Sequence, residues 1–146
     1  MQYFFQESFI IKVKNLLKNN SYKFCELAII ESVFNLSIEQ IFANCVAQRL
    51  NPSVENPIAK LRISYNSGKS SSFRLYVFAI IKDEKLYFAY IYPKTGKFGQ
   101  SALKANEEIK IIKELLENVK TINVHAVYLD KKKNKICFLI DDKEIF

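Results

Sequence analysis

The chain has little glycine, little cysteine, a single histidine and no tryptophan. The lack of tryptophan excludes nothing, but each of the other scarcities does. Three glycines in 146 residues leave little room for a glycine-rich loop that cradles a nucleotide's phosphates. The cysteines, Cys25, Cys45 and Cys137, are odd in number and have no CxxC spacing, so they spell neither a disulfide framework nor a zinc site. Cys25 and Cys45 fall within apolar helical patterns, where buried free thiols are expected, and these suit a reducing compartment. Neither metal-ligand spacing nor a Ser/His/Asp set is visible, so no metal and no cofactor is expected. The lone histidine, His125, sits between Val124 and Ala126 and is at best a weak candidate for acid-base work. No window approaches the roughly 18 apolar residues of a membrane span. The opening "MQYFFQESF" has neither the basic start nor the long apolar stretch of a secretory leader. A soluble, unexported, cytoplasmic protein is expected.

What is present is apolar and basic. Hydrophobic residues make up 49% of the chain, with 12 Phe and 8 Tyr, enough to bury a core and to exclude a disordered tail. The length fits one domain spanning 1–146. Against 15 acidic residues stand 22 Lys and Arg, a net charge of +7. Such a field steers polyanions to the surface, although net charge alone speaks only of solubility and non-specific binding.

The order of elements can be read from the spacing of apolar residues. "YFFQ" favours a strand. Phe9, Ile10, Val13, Leu16 and Leu17 recur at helical spacing up to Asn19-Asn20. Ser21 is expected to cap a second helix through Phe24, Leu27, Ala28, Ile30 and Phe34. Ser37 opens a third, with Gln40 placed for a capping box and Ile38, Ile41, Phe42, Cys45 and Val46 on a face that Arg49 extends. Pro52 and Pro57 in "NPSVENP" end it. Strands follow at Ala59 to Tyr65, at "FRLYVFAII" and at "KLYFAYIY", the last two joined by the tight turn "KDE". Both runs are apolar at nearly every residue and are expected to be central strands covered on at least part of both faces. Glu107 to Val119 reads as a helix with Ile109, Ile112, Leu115, Leu116 and Val119 on one stripe. The tail reads as a hairpin around "DKKKNK". The whole is an α+β pattern with a mainly antiparallel sheet.

The run "KLRIS...GKSSSFRLYVFAIIKDEKLYFAYIYPKTGK" followed by "NEEIKIIKELL" resembles the RelE/ParE/HigB family of bacterial toxin-antitoxin modules, closest to its HigB-like branch. The opening "YFFQESFIIKVKNLL" is similar to the strand and helix with which such toxins begin. The resemblance covers 1–18 and 59–118. It implies a RelE-like fold in 1–120, from which the chain departs by an enlarged helical segment at 19–50 and a β extension at 121–146. "KTGKFGQSALKA" lacks the Arg or Tyr that several ribosome-dependent members carry there.

The resemblance implies a toxin that cleaves mRNA on the ribosome and is neutralised by a cognate antitoxin. Alternatives are a ParE-like toxin acting on DNA gyrase and a non-catalytic basic module that binds RNA or protein. Cleaving RNA requires a deprotonated 2′-hydroxyl, a neutralised phosphate and a protonated leaving oxygen, which lysines and arginines can supply without a metal. By the resemblance Arg74 holds the phosphate, since its planar fork stays charged and donates twice. Lys60 and Arg62 alternate to the same strand face and join it as catalytic residues. Lys69, Lys94 and Lys97 would flank the RNA, with Tyr76 stacking on a base. The blander expectations are a salt bridge from Arg74 to Glu107 or Glu108, a solvated strand face for Lys60 and Arg62, ordinary loop lysines, and a core tyrosine.

Overall fold

The N-terminal segment folds largely as its apolar spacing dictates. Strand β1 (Gln2–Phe5) leads into helix α1 (Glu7–Leu17), which buries Phe9, Ile10, Val13 and Leu16. The structure, a computed structural model, describes residues 1–44, 48–66, 72–100 and 102–145. The second helix begins differently from expectation. Asn19, not Ser21, is the cap: its side chain accepts from the Ser21 N–H at 2.9 Å and starts a 3₁₀ turn over Asn20–Tyr22. Helix α2 (Cys25–Ile29) follows and widens into a π-helical turn, Ile30–Phe34. The capping box of α3 (Ile38–Asn44) forms as read: Ser37 N–H donates to Gln40 Oε1 at 2.9 Å, and Gln40 N–H to Ser37 Oγ at 3.2 Å. Arg49 does not extend that helix. It lies in strand β2 (Gln48–Arg49), opposite Ala59, with its guanidinium 5.8 Å from the Phe42 ring centroid. Cys45 and Val46, expected on the same helix, lie outside the described residues.

Strands β3 (Ile58–Ile63), β4 (Phe73–Ile80) and β5 (Lys85–Pro93) form the antiparallel centre. Helix α4 (Ala105–Lys120) comes next, then β6 (His125–Asp130), β7 (Lys135–Ile140) and the short β8 (Lys143–Glu144). The strand order is β2-β3-β4-β5-β1-β6-β7-β8. Every pairing is antiparallel except β1 with β5. The protein is therefore α+β with a mostly antiparallel sheet, and its tail joins that sheet through β1. The turn of the tail hairpin is stabilised by Asp130, whose Oδ1 accepts from the Lys132 and Lys133 N–H groups.

The sheet is covered on both faces. On one, α1, α2 and α3 bury Phe9, Val13, Ile29 and Ile41 against Phe5, Leu75, Val77 and Phe88. On the other, α4 brings Leu115, with Ile111, Ile112 and Val119, against Phe78, Tyr87 and Ala89. The expected α4 stripe is thus rotated: Ile109 and Leu116 face outward, 52% and 40% exposed, and Ile111 takes a place in the contact.

A bulge at Ala89 shifts the β4–β5 register between Tyr76 and Val77. It frees the Ala89 carbonyl, which the buried Gln6 satisfies by donating from Nε2 at 2.9 Å. Gln6 Oε1 accepts from Asn118 at 2.8 Å, tying the end of α4 to the start of α1 through the sheet. Among the described residues no helix is long and apolar enough to cross a membrane.

Candidate nucleic-acid interface

Strand alternation places Ile58, Lys60 and Arg62 of β3 on the α4 face, and Arg74, Tyr76 and Phe78 of β4 beside them. The register makes rows across three strands: Ile58, Phe78 and Tyr87; then Lys60, Tyr76 and Tyr90; then Arg62, Arg74 and Tyr92. The face therefore grades from apolar to cationic along the strands. Helix α4 covers the apolar rows, and the cationic row lies at the end where β5 runs out to Lys94.

Three of the expected residues, Lys60, Arg62 and Arg74, thus stand on adjacent strands, and Lys94 is close enough to feel all of them. Burial first, then the charges of Arg74, Lys60 and Arg62, lower the Lys94 ammonium below the usual lysine value. Burial and the charge of Arg62 likewise lower Arg74, with Tyr92 acting the other way. The Arg74 guanidinium donates to the Phe73 carbonyl at 3.2 Å and to Ser72 Oγ at 3.4 Å. The expected alternative of a bridge to Glu107 or Glu108 is not what holds it. Glu108 instead accepts from the Tyr76 hydroxyl at 2.7 Å. Among the described residues Lys60, Arg62 and Arg74 have no carboxylate partner.

Tyr76 is fully buried, so its ring cannot meet a base. Burial, then the hydrogen bond and charge of Glu108, push its phenol upward. Tyr92, which the sequence reading passed over, belongs to the cluster by register with Arg74. Its hydroxyl is buried and has no hydrogen-bond partner among the described residues. A buried phenol usually finds a partner; this one has none among the described residues, and it feels the opposed charges of Arg74 and Glu108 while closed off from solvent. The signal was available in sequence: Tyr92 follows Tyr90 by two residues, and hence lies on the same strand face.

Lys97 is not gathered with these cations. Its ammonium lies 5.6 Å from the centroid of the Phe98 ring, which stacks on Tyr22 of the helix-covered side at 5.9 Å. Lys69 lies outside the described residues. His125 is in β6 opposite Phe5, with Nε2 3.5 Å from the Glu7 carboxylate, away from the cationic row.

The arrangement gathers the guanidinium groups of Arg62 and Arg74 and the ammonium group of Lys60, none with a carboxylate partner among the described residues, with Lys94 nearby. It suits a phosphodiester, whose oxygens accept from several donors at once. Comparison of the chain with models of protein families, with curated proteins and with solved structures finds no match.

Proposed function

We propose that the chain is the toxin of a type II toxin-antitoxin module on a RelE-like fold, an endoribonuclease that cuts mRNA on the ribosome. The observation that carries this reading is the gathering of Lys60, Arg62 and Arg74 on adjacent strands, with Lys94 close enough to feel all three charges. Arg74 and Arg62 neutralise the scissile phosphate and the charge that grows on it in the transition state. Lys94, whose proton is loosened by burial and then by its cationic neighbours, is suited to proton transfer at the 2′-hydroxyl or the leaving oxygen. Lys60 completes the cationic wall. A cognate antitoxin would silence the protein by covering this face.

Induced expression without an antitoxin should arrest growth and leave cleaved transcripts, and Arg74→Ala should abolish both. Normal growth alongside abundant soluble protein would refute the reading. A DNA-damage response without transcript cleavage would point to gyrase as the target. One observation favours a non-catalytic module instead: Tyr76, which the resemblance makes a stacking residue, is buried and tied to Glu108. In that case RNA would bind in a salt-sensitive way and remain whole.

A further inference from the structure

A second basic feature lies on the other side of the β5 end. Between the C-terminal half of α1 and the loop after β5 runs a groove of about 620 Å³, lined by Lys12, Asn15, Leu16, Lys18, Asn19 and Phe98 among others. Among the described residues no carboxylate lines it. Phe98 is 42% exposed, a large aromatic ring at the surface among lysines, with Lys97 Nζ 5.6 Å from its centroid.

The ring is held in place from behind. Tyr22, fully buried, stacks on it at 5.9 Å with an interplanar angle of 28°. The Tyr22 hydroxyl accepts from the Phe98 N–H at 2.8 Å and donates to the Thr95 carbonyl at 3.0 Å. The loop can pass so close to that hydroxyl because residue 96 is glycine. Its φ is +82°, and a Cβ there would stand 2.7 Å from Tyr22 Oη. A buried tyrosine, a glycine and two hydrogen bonds thus keep an apolar ring at the surface, at the cost of its exposure to water.

One contact links the groove to the α4 face of the sheet. Lys12 Nζ lies 5.7 Å from the centroid of the Tyr90 ring, and Tyr90 shares a row with Tyr76 and Lys60. Lys94 and Phe98 are four residues apart in sequence, at most about 14 Å of chain.

We propose that this groove seats a nucleotide of single-stranded RNA, its base on Phe98 and its phosphate between Lys12 and Lys18. The side-chain amides of Asn15 and Asn19 meet the base or ribose edges. The protein would then hold one RNA strand at two places around the end of β5. This deepens the RNA reading above and rests on it. An acidic peptide would use the lysines and leave the ring idle, whereas a nucleotide brings both a π-face and a phosphate.

The test measures binding of a labelled oligouridine to the full chain by fluorescence anisotropy at fixed salt, and maps the contact by photo-crosslinking a 5-iodouridine oligomer. Phe98→Leu keeps apolar bulk and removes the π-face; it should weaken binding roughly 5- to 100-fold, while Phe98→Tyr restores it. The crosslink should fall on the peptide that carries Phe98. Because Phe98 is partly exposed, unchanged thermal midpoints for both variants would show that the fold is intact. Equal affinity of wild type and Phe98→Leu, or a crosslink confined to other peptides, would overturn the proposal. So would a polyglutamate peptide that binds with the same sensitivity to Phe98→Leu. A crosslink at Phe98 with no cleavage of mRNA in cells leaves the groove standing and removes the nuclease; cleavage with no such crosslink does the reverse.

Discussion

The two faces of this sheet are built from the same three strands and solve opposite problems. On the face covered by α1, α2 and α3, Phe88 stacks against Phe9 at 5.3 Å and lies within 6.2 Å of Tyr3 and 5.9 Å of Phe34. The packing there is mainly apolar. On the α4 face the same strands carry Tyr76, Tyr87, Tyr90 and Tyr92 in place of phenylalanine and leucine, and two of the three arginines. Every phenol brought under α4 needs a partner, and every cation near it repels the next. The first face makes the fold, and the second accepts electrostatic cost. A row of like charges without carboxylates destabilises the folded chain, so its presence is better explained by a ligand than by folding.

The largest expected effect tests that division. Phe88→Ala should cost about 3–5 kcal/mol of stability, as the loss of a large buried aromatic does, and urea unfolding would measure it. Arg74→Ala should change stability by no more than about 0.5 kcal/mol, because its hydrogen bonds are local, to Ser72 and Phe73, and its removal relieves Arg62. If Arg74→Ala were as damaging as Phe88→Ala, the cation would be part of the scaffold and the contrast between the faces would fail.

A smaller effect separates two tyrosines on the α4 face itself. Tyr76→Phe removes the donor to Glu108 and should cost about 1.5–3 kcal/mol, the range for a hydrogen bond to a charged group. Tyr92→Phe removes a buried hydroxyl that has no partner among the described residues, so stability should hold or rise. Two identical substitutions, one row apart, should therefore move stability differently. A shared loss would mean that the Tyr92 hydroxyl is a structural group after all.

How much of this was legible in sequence follows from what each signal encodes. Apolar spacing gave α1, the central strands and the tail hairpin, and Ser37 with Gln40 gave the α3 cap, because these are local patterns. It misplaced the α2 start, where Asn19 outcompeted Ser21 for the same backbone turn. On α4 the stripe was misjudged by one residue step, since Ile109 and Ile111 are equally apolar and only the partner surface decides between them. The parallel pairing of β1 with β5 and the Gln6 to Asn118 link span 83 and 112 residues respectively, and no local pattern reports them. Alternation put Lys60, Arg62 and Arg74 on one face. The burial of Tyr76 and the lack of a partner for Tyr92 depended on where α4 comes to rest.

The smallest expected effect concerns protons on the cationic row. Burial and the charges of Arg74, Lys60 and Arg62 lower the Lys94 ammonium below its ordinary value. The unfolded chain therefore holds that proton more tightly than the folded one. Between the lowered value and the ordinary one the unfolded state carries more protons, so Lys94's contribution to stability rises with pH across that interval. Affinity for a phosphate should move the other way, because a neutral amine attracts no anion. Titrating RNA binding by anisotropy on the alkaline side should show a decline that begins below the pH at which an ordinary lysine deprotonates. Lys94→Arg should carry that decline to higher pH, since a guanidinium keeps its charge, and Phe88→Ala, if folded enough to assay, should leave its position unchanged. A decline that Lys94→Arg leaves in place would assign the titration to another group and remove Lys94 from the anion site.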